Sequence, residues 1–145
     1  MKSTLRDAVL GAWELVSFVA RDVATGADRH PLGTAPRGLI LYTCDGHMSA
    51  QLAESDMSGY IAYGGRFSVD EDTSILHHDV TISMMPELLA QPQFRNAAVD
   101  GDFLTLSAAR ADDNGVTTHS SLVWRRASAK PQRASDERVT GFEPV

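Results

Sequence analysis

Apolar and polar residues alternate along most of the chain with the two-residue period of a half-buried strand, and the 3.6-residue period of a helix is scarce. The runs "SFVA", "LILYT", "HMSAQLA", "GRFSV", "ILHHDVTISM", "RNAAV", "FLTLSAA" and "VTTHSSLVWRR" are short and rich in Val, Ile, Leu, Thr and aromatic residues. Turn signals separate them at Thr25-Gly26, Asp45-Gly46, Asp70 to Thr73, Asp100-Gly101 and Asn114-Gly115. Roughly eight strands at this spacing predict an all-β, up-and-down antiparallel barrel, because closure removes edges that would otherwise pair with other chains. Helix is confined to short pieces. Ser3 or Thr4 can cap a helix through Leu10, and turns are expected in "MPELLAQ" and "SDMSGYIAY".

The stretch "GLILYTCDGHMSAQLA", residues 38–53, shows how the alternation assigns faces. A three-residue loop, Cys44-Asp45-Gly46, with glycine in the left-handed position is a common hairpin solution. That register pairs Tyr42 with Met48 and Ile40 with Ala50. Paired residues share a face, so Ile40, Tyr42, Met48, Ala50 and Leu52 are expected to point inward together. Leu39, Leu41, His47, Ser49 and Gln51 form the opposite, mixed face. In "ILHHDVTISM" the apolar phase is Leu76, Val80, Ile82 and Met84, and His78 falls within it. Adjacent His77 then points the other way, so the two histidines cannot chelate one metal.

Length and composition narrow the class. The chain has 145 residues, of which 43% are hydrophobic and 22% charged, and this fits one globular domain. Residues 1–126 read as the barrel domain and 127–145, "ASAKPQRASDERVTGFEPV", as a mostly polar tail whose Phe142, Pro144 and Val145 can dock. A net charge of -6, with no dense Lys/Arg stripe before the tail, speaks against nucleic acid. The single cysteine, Cys44, excludes an intrachain disulfide framework. The N-terminal segment carries Arg6, Asp7 and Glu14 where a signal peptide would be apolar, and no run reaches membrane-spanning length. The expected location is cytoplasmic, with neither membrane nor nucleic acid as partner.

The segment "GAWELVSF" resembles the Gly-x-Trp signature of the calycin superfamily, which includes lipocalins. The chain is also similar to the bacterial and fungal lipocalin-like domain family through "PLGTAPRGLILYTCDGHMSAQL", "YIAYGGRFSVDE", "HHDV", "DGDFLTLS" and "LVWRR". These matches run in family order from Gly11 to Arg126. The resemblance implies an eight-stranded antiparallel barrel around a cavity, with Arg125 or Arg126 packed across Trp13. It implies no single reaction, since such barrels include natural-product cyclases and isomerases as well as carriers. Between Asp79 and Leu89 the apolar "TISMMPELLAQ" departs from the family pattern.

Within such a barrel the candidate catalytic residues are Tyr42, His78 and Arg95. Tyr42 needs a partner for its hydroxyl, either a ligand carbonyl or a backbone group. His78 titrates near neutrality among apolar neighbours, which suits acid–base work or a satisfied core position. Arg95 faces inward with Leu104 and Leu106 if the Asp100-Gly101 turn has two residues, and outward if it has three. An inward guanidinium in an apolar chamber demands a carboxylate, enolate or carbonyl oxygen. The expected lining is Ile40, Met48, Ala50, Leu52, Tyr63, Val80, Met84 and Trp124. Tyr60 and Tyr63 flank Gly64-Gly65, which allows a bend or a close backbone approach.

No phosphate loop, nucleophile elbow, nucleotide fingerprint or zinc-like spacing is present, so no cofactor or metal is expected. The expected ligand is a small hydrophobic organic molecule, and a second copy of the chain is a candidate partner. Two functions fit: a cofactor-independent cyclase or isomerase, and a non-catalytic carrier. A third, an interaction module, would use the tail.

Overall fold

A computed structural model describes residues 4–127. A short helix, α1 (Leu5–Val9), is followed by nine strands: β1 (Gly11–Asp22), β2 (Asp28–Arg29), β3 (Arg37–Tyr42), β4 (His47–Ala53), β5 (Ile61–Asp70), β6 (Ile75–Ser83), β7 (Gln93–Asp100), β8 (Phe103–Ala111) and β9 (Thr117–Arg126). A 3₁₀ turn, Pro86–Leu89, bridges β6 and β7. Strands β3 to β9 pair each with the next, all antiparallel, and β1 pairs with both β3 and β9. The result is a closed eight-stranded up-and-down barrel, with the two-residue β2 added along β1. The expected polar tail beyond residue 127, with docking of Phe142, Pro144 and Val145, lies outside the described residues.

One end of the barrel is plugged. Thr4 caps α1 by accepting from the Asp7 amide, and Glu71 accepts from the amides of Leu5 and Arg6. Trp13 is fully buried beneath the helix, and its indole nitrogen donates to the Val9 carbonyl at 2.8 Å. The Arg126 guanidinium lies 4.1 Å from the Trp13 ring centroid and donates to the carbonyls of Ala8 and Leu10. The end of the helix is therefore satisfied by a side chain from the last strand. Of the two arginines proposed to cover Trp13, Arg126 does so; Arg125 is exposed. Above this plug Leu15, Ile40, Leu76, Leu104, Leu106 and Trp124 form a continuous buried cluster.

Several local expectations change. The first strand starts at Gly11, six residues earlier than the run "SFVA" suggests, so that Gly11-x-Trp13 lies on it; β1 follows α1 directly and runs twelve residues. β5 begins at Ile61, four residues earlier than the run "GRFSV" suggests. Ile82 and Met84, expected inward, are 72% and 59% exposed. The cause is a bulge: Gly65 pairs with Val80 but Gly64 pairs with Ile82, so Thr81 is an extra residue and the alternation reverses beyond it.

Gly65 makes that bulge sterically possible. A Cβ at this position would overlap the Asp79 carbonyl oxygen and lie 2.8 Å from the Thr81 nitrogen, both backbone atoms. The residue stands for close approach, as the glycine pair in "YIAYGG" suggested. Gly65→Ala is expected to lower stability by about 1–3 kcal/mol, the usual penalty of forced overpacking. Urea denaturation reads it directly, and an unchanged midpoint would refute the role given to Gly65.

Candidate functional site

The hairpin of β3 and β4 has the expected register. Tyr42 pairs with Met48 and Ile40 with Ala50, and Gly46 adopts φ +90° in the three-residue loop. Ile40, Tyr42, Met48, Ala50 and Leu52 are buried, while Leu39, Leu41, Ser49 and Gln51 are exposed. Two-residue alternation thus delivers Tyr42 to the barrel interior. On β6 the same alternation delivers His78, which is 1% exposed, before the bulge reverses the phase.

Strands β3 and β6 are not neighbours, so Tyr42 and His78 meet across the interior. The Tyr42 hydroxyl lies 2.7 Å from His78 Nε2. Phe67 packs edge-on against Tyr42 with ring centroids 4.9 Å apart, and Tyr63 lies 6.0 Å from the imidazole. Arg6 from α1 covers the far side of Phe67 at 5.3 Å. Phe67 was missed as a site-forming residue; the alternation in "YGGRFSV" puts it in phase with Tyr63.

Arg95 answers the question its turn left open. Asp100 pairs with Phe103, so the β7–β8 turn has two residues, Gly101 and Asp102. Arg95 pairs with Leu76, which is fully buried, and therefore faces inward. It is half-buried near the end of the barrel away from α1, where the inward residues Phe18, Tyr63, Ser120 and Leu122 are also half-buried. The α1 end is a filled core, and the inward residues of the opposite end are less deeply buried. One guanidinium nitrogen donates to the Phe94 carbonyl at 2.8 Å. Among the described residues Arg95 makes no ion pair.

Burial sets the protonation of the group. It pushes the Tyr42 hydroxyl well above the ordinary tyrosine value, with Tyr63 adding to the effect and Arg95 opposing it. Burial likewise raises Tyr63. For His78, burial and then the Arg95 charge lower the pKa from 6.5 to about 3. At neutral pH the pair is a neutral phenol against a neutral imidazole. The single phenolic proton has Nε2 as its acceptor among the described residues, which leaves the imidazole proton on Nδ1. Buried Nδ1 has no hydrogen-bond partner, and neither does the indole nitrogen of Trp124. Such orphan donors are rare in a packed interior.

The remaining proposed lining residues fall into three groups. Ile40, Met48, Ala50, Leu52 and Trp124 belong to the packed core cluster, and Val80 is buried beside them on β6. Tyr63 is half-buried and adjoins His78. Met84 lies on the outside, for the reason given by the bulge. There it joins Tyr63, Ile82 and Ser83 around a depression of about 240 Å³ across β4 to β6. A second depression, about 220 Å³, lies on the outer wall between Arg37, Leu39, Gln51, Met57 and Tyr60. Tyr60 donates to Gln51 across it. Among the described residues no group of His, Cys, Asp and Glu has the proximity a metal ion would need. No described helix is long and apolar enough to cross a membrane.

Comparison with known proteins adds a family. The model described as a lipocalin-like domain matches residues 10–57 and 53–127. No curated protein matches the chain.

Proposed function

The chain belongs to the lipocalin-like domain family, and from that premise we propose that it is a cofactor-independent enzyme acting on a small, mainly apolar molecule. The reaction proposed is a proton-transfer rearrangement, an isomerisation or a cyclisation, of a substrate bearing a carbonyl oxygen. The observation that carries this reading is the buried Tyr42–His78 hydrogen bond with Nδ1 of the same imidazole left unpartnered.

The chemistry follows from the protonation states. A neutral imidazole whose Nδ1–H lacks an acceptor is a polarising donor toward a carbonyl oxygen placed beside it. As a carbon-bound proton of the substrate passes to water, charge builds on that oxygen, the Nδ1 proton moves to it and the Tyr42 proton moves to Nε2. Tyr42 then regains a proton from water, so that one proton leaves the substrate carbon and one arrives on its oxygen. The imidazole stays neutral throughout, and the phenolate that forms lies within the field of Arg95. The barrel wall supplies orientation, which by itself contributes several kcal/mol, roughly 7–11 at the upper limit, to lowering a barrier. A cytoplasmic setting in secondary metabolism goes with this reading.

The carrier reading also has an observation behind it. An imidazole held neutral down to about pH 3 is a weak base at neutral pH. Turnover separates the two. The ligand retained through purification, identified by native mass spectrometry, is incubated in D₂O with the wild type, Tyr42→Phe and His78→Gln. The enzyme reading expects deuterium incorporation or rearrangement to slow by about 100-fold or more in both variants. Affinity should change far less. If only affinity falls, or if the wild type leaves the ligand unaltered, the protein is a carrier.

A further inference from the structure

We propose that the ligand is an apolar monoanion, a carboxylic acid or an enolised dicarbonyl, and that Arg95 is the residue that selects its charge. This rests on the reading that the barrel takes a small, mainly apolar molecule, and it names the chemical class of that molecule.

Arg95 occupies an inward position among apolar neighbours. Its partner across the strands is Leu76, and Ala97 and Val99 continue its face toward Leu106 and Leu104. A guanidinium in such a place is stabilised by a counter-charge or by ordered acceptors. The described residues supply one backbone carbonyl, that of Phe94, and no carboxylate. Gln93, which pairs with His78, and the hydroxyls of Ser120 and Tyr63 are the other polar groups on the inward side near it, and none of them carries a negative charge. His78 presents a buried Nδ1 with no hydrogen-bond partner, and the Tyr63 ring lies 6.0 Å from the imidazole, centroid to centroid.

An inward guanidinium without a carboxylate partner among the described residues is complementary to an oxyanion. A carboxylate or enolate offers two oxygens to the planar guanidinium fork, a geometry that a lysine could not match and an alcohol could not fill. A single arginine matches one negative charge, which argues for a monoanion over a phosphate ester. The chain as a whole carries -6, so attraction of an anion must come from this local site rather than from the overall field. Seating the anion also places an acceptor on the face that Arg95 shares with His78, its diagonal neighbour across β6 and β7.

The test compares ligands matched in carbon skeleton. Octanoate and 4-phenylbutyrate are titrated calorimetrically against 1-octanol and 4-phenyl-1-butanol, at pH 7.5 and low salt, with the whole chain. Each acid is expected to bind at least about tenfold more tightly than its alcohol, as a charge-assisted bidentate pair should. Arg95→Gln is expected to bring that ratio to near one without loss of alcohol binding. Arg95→Lys, which keeps the charge but loses the fork, should retain a reduced preference. Arg125→Gln, on the exposed face of β9, should bind as the wild type does. Equal binding of acid and alcohol by the wild type overturns the anion proposal and leaves the apolar-ligand reading standing. A preference that survives in Arg95→Gln overturns the role of Arg95. If neither acids nor alcohols bind, the ligand reading itself falls along with the proposal.

Discussion

Trp13→Ala is expected to destabilise the barrel by about 3–5 kcal/mol, the range for deleting a fully buried large aromatic side chain. Three losses coincide at this position. The ring fills the plugged end at 0% exposure, so its removal leaves a cavity lined by α1 and the first strands. The indole N–H that satisfies the Val9 carbonyl disappears. Arg126 loses the aromatic face 4.1 Å below its guanidinium, although its bonds to the Ala8 and Leu10 carbonyls can persist. Arg126→Leu should cost less, because the ring remains in place. The double variant should cost less than the sum of the two, since each single change already breaks the stacking. Urea denaturation of the three variants measures all of these terms, and strict additivity would show that the two side chains act independently.

Acid is expected to weaken the fold through His78, and the size of that effect follows from its buried position. The folded-state pKa is about 3 and the unfolded value 6.5. The unfolded chain therefore binds the proton first as the pH falls. Stability associated with the neutral imidazole is complete above about pH 6.5 and is lost on the way down to about pH 3. The loss between pH 7 and pH 5 should be about 2 kcal/mol, rising to about 4 kcal/mol by pH 3. Asp28, Asp45 and Asp56, whose carboxyls are held low by hydrogen bonds from Arg21, Thr43 and Ser58, add an acid dependence of the same sign. His78→Gln isolates the histidine: its stability should fall less steeply than that of the wild type between pH 7 and pH 5. Parallel curves would mean that His78 is not held neutral in the fold.

What could be read without coordinates was whatever depends on period and turn type. The hairpin around Cys44-Asp45-Gly46 declared its faces because its loop length was legible and no bulge interrupts it. Tyr42 and His78 were separately assignable to the interior by alternation. Their meeting was not, because they are on non-adjacent strands and no local pattern records a contact across a barrel. The direction of Arg95 depended on one residue of turn length, which Asp100-Gly101-Asp102 leaves ambiguous. Ile82 and Met84 were misassigned because a single extra residue, Thr81, reverses the phase. The signal for that bulge lay on the facing strand, in Gly65, where a pattern confined to β6 could not register it. The two-residue β2 is too short for any periodic signal at all.

Strand β1 has a role in assembly as well as in architecture. It is clasped by β3 on one side and by β9 on the other, so the barrel's seam joins Trp13 to Arg126 and Asp22 to Thr118. All other neighbouring strands can form as hairpins while the polypeptide is still emerging. This one cannot close until the last strand arrives. Mean sequence separation of contacts is high in such a topology, which slows folding relative to local architectures. Meanwhile the apolar inward face of β1 waits unpaired, and during synthesis it is the part of the protein most in need of protection from intermolecular strand exchange.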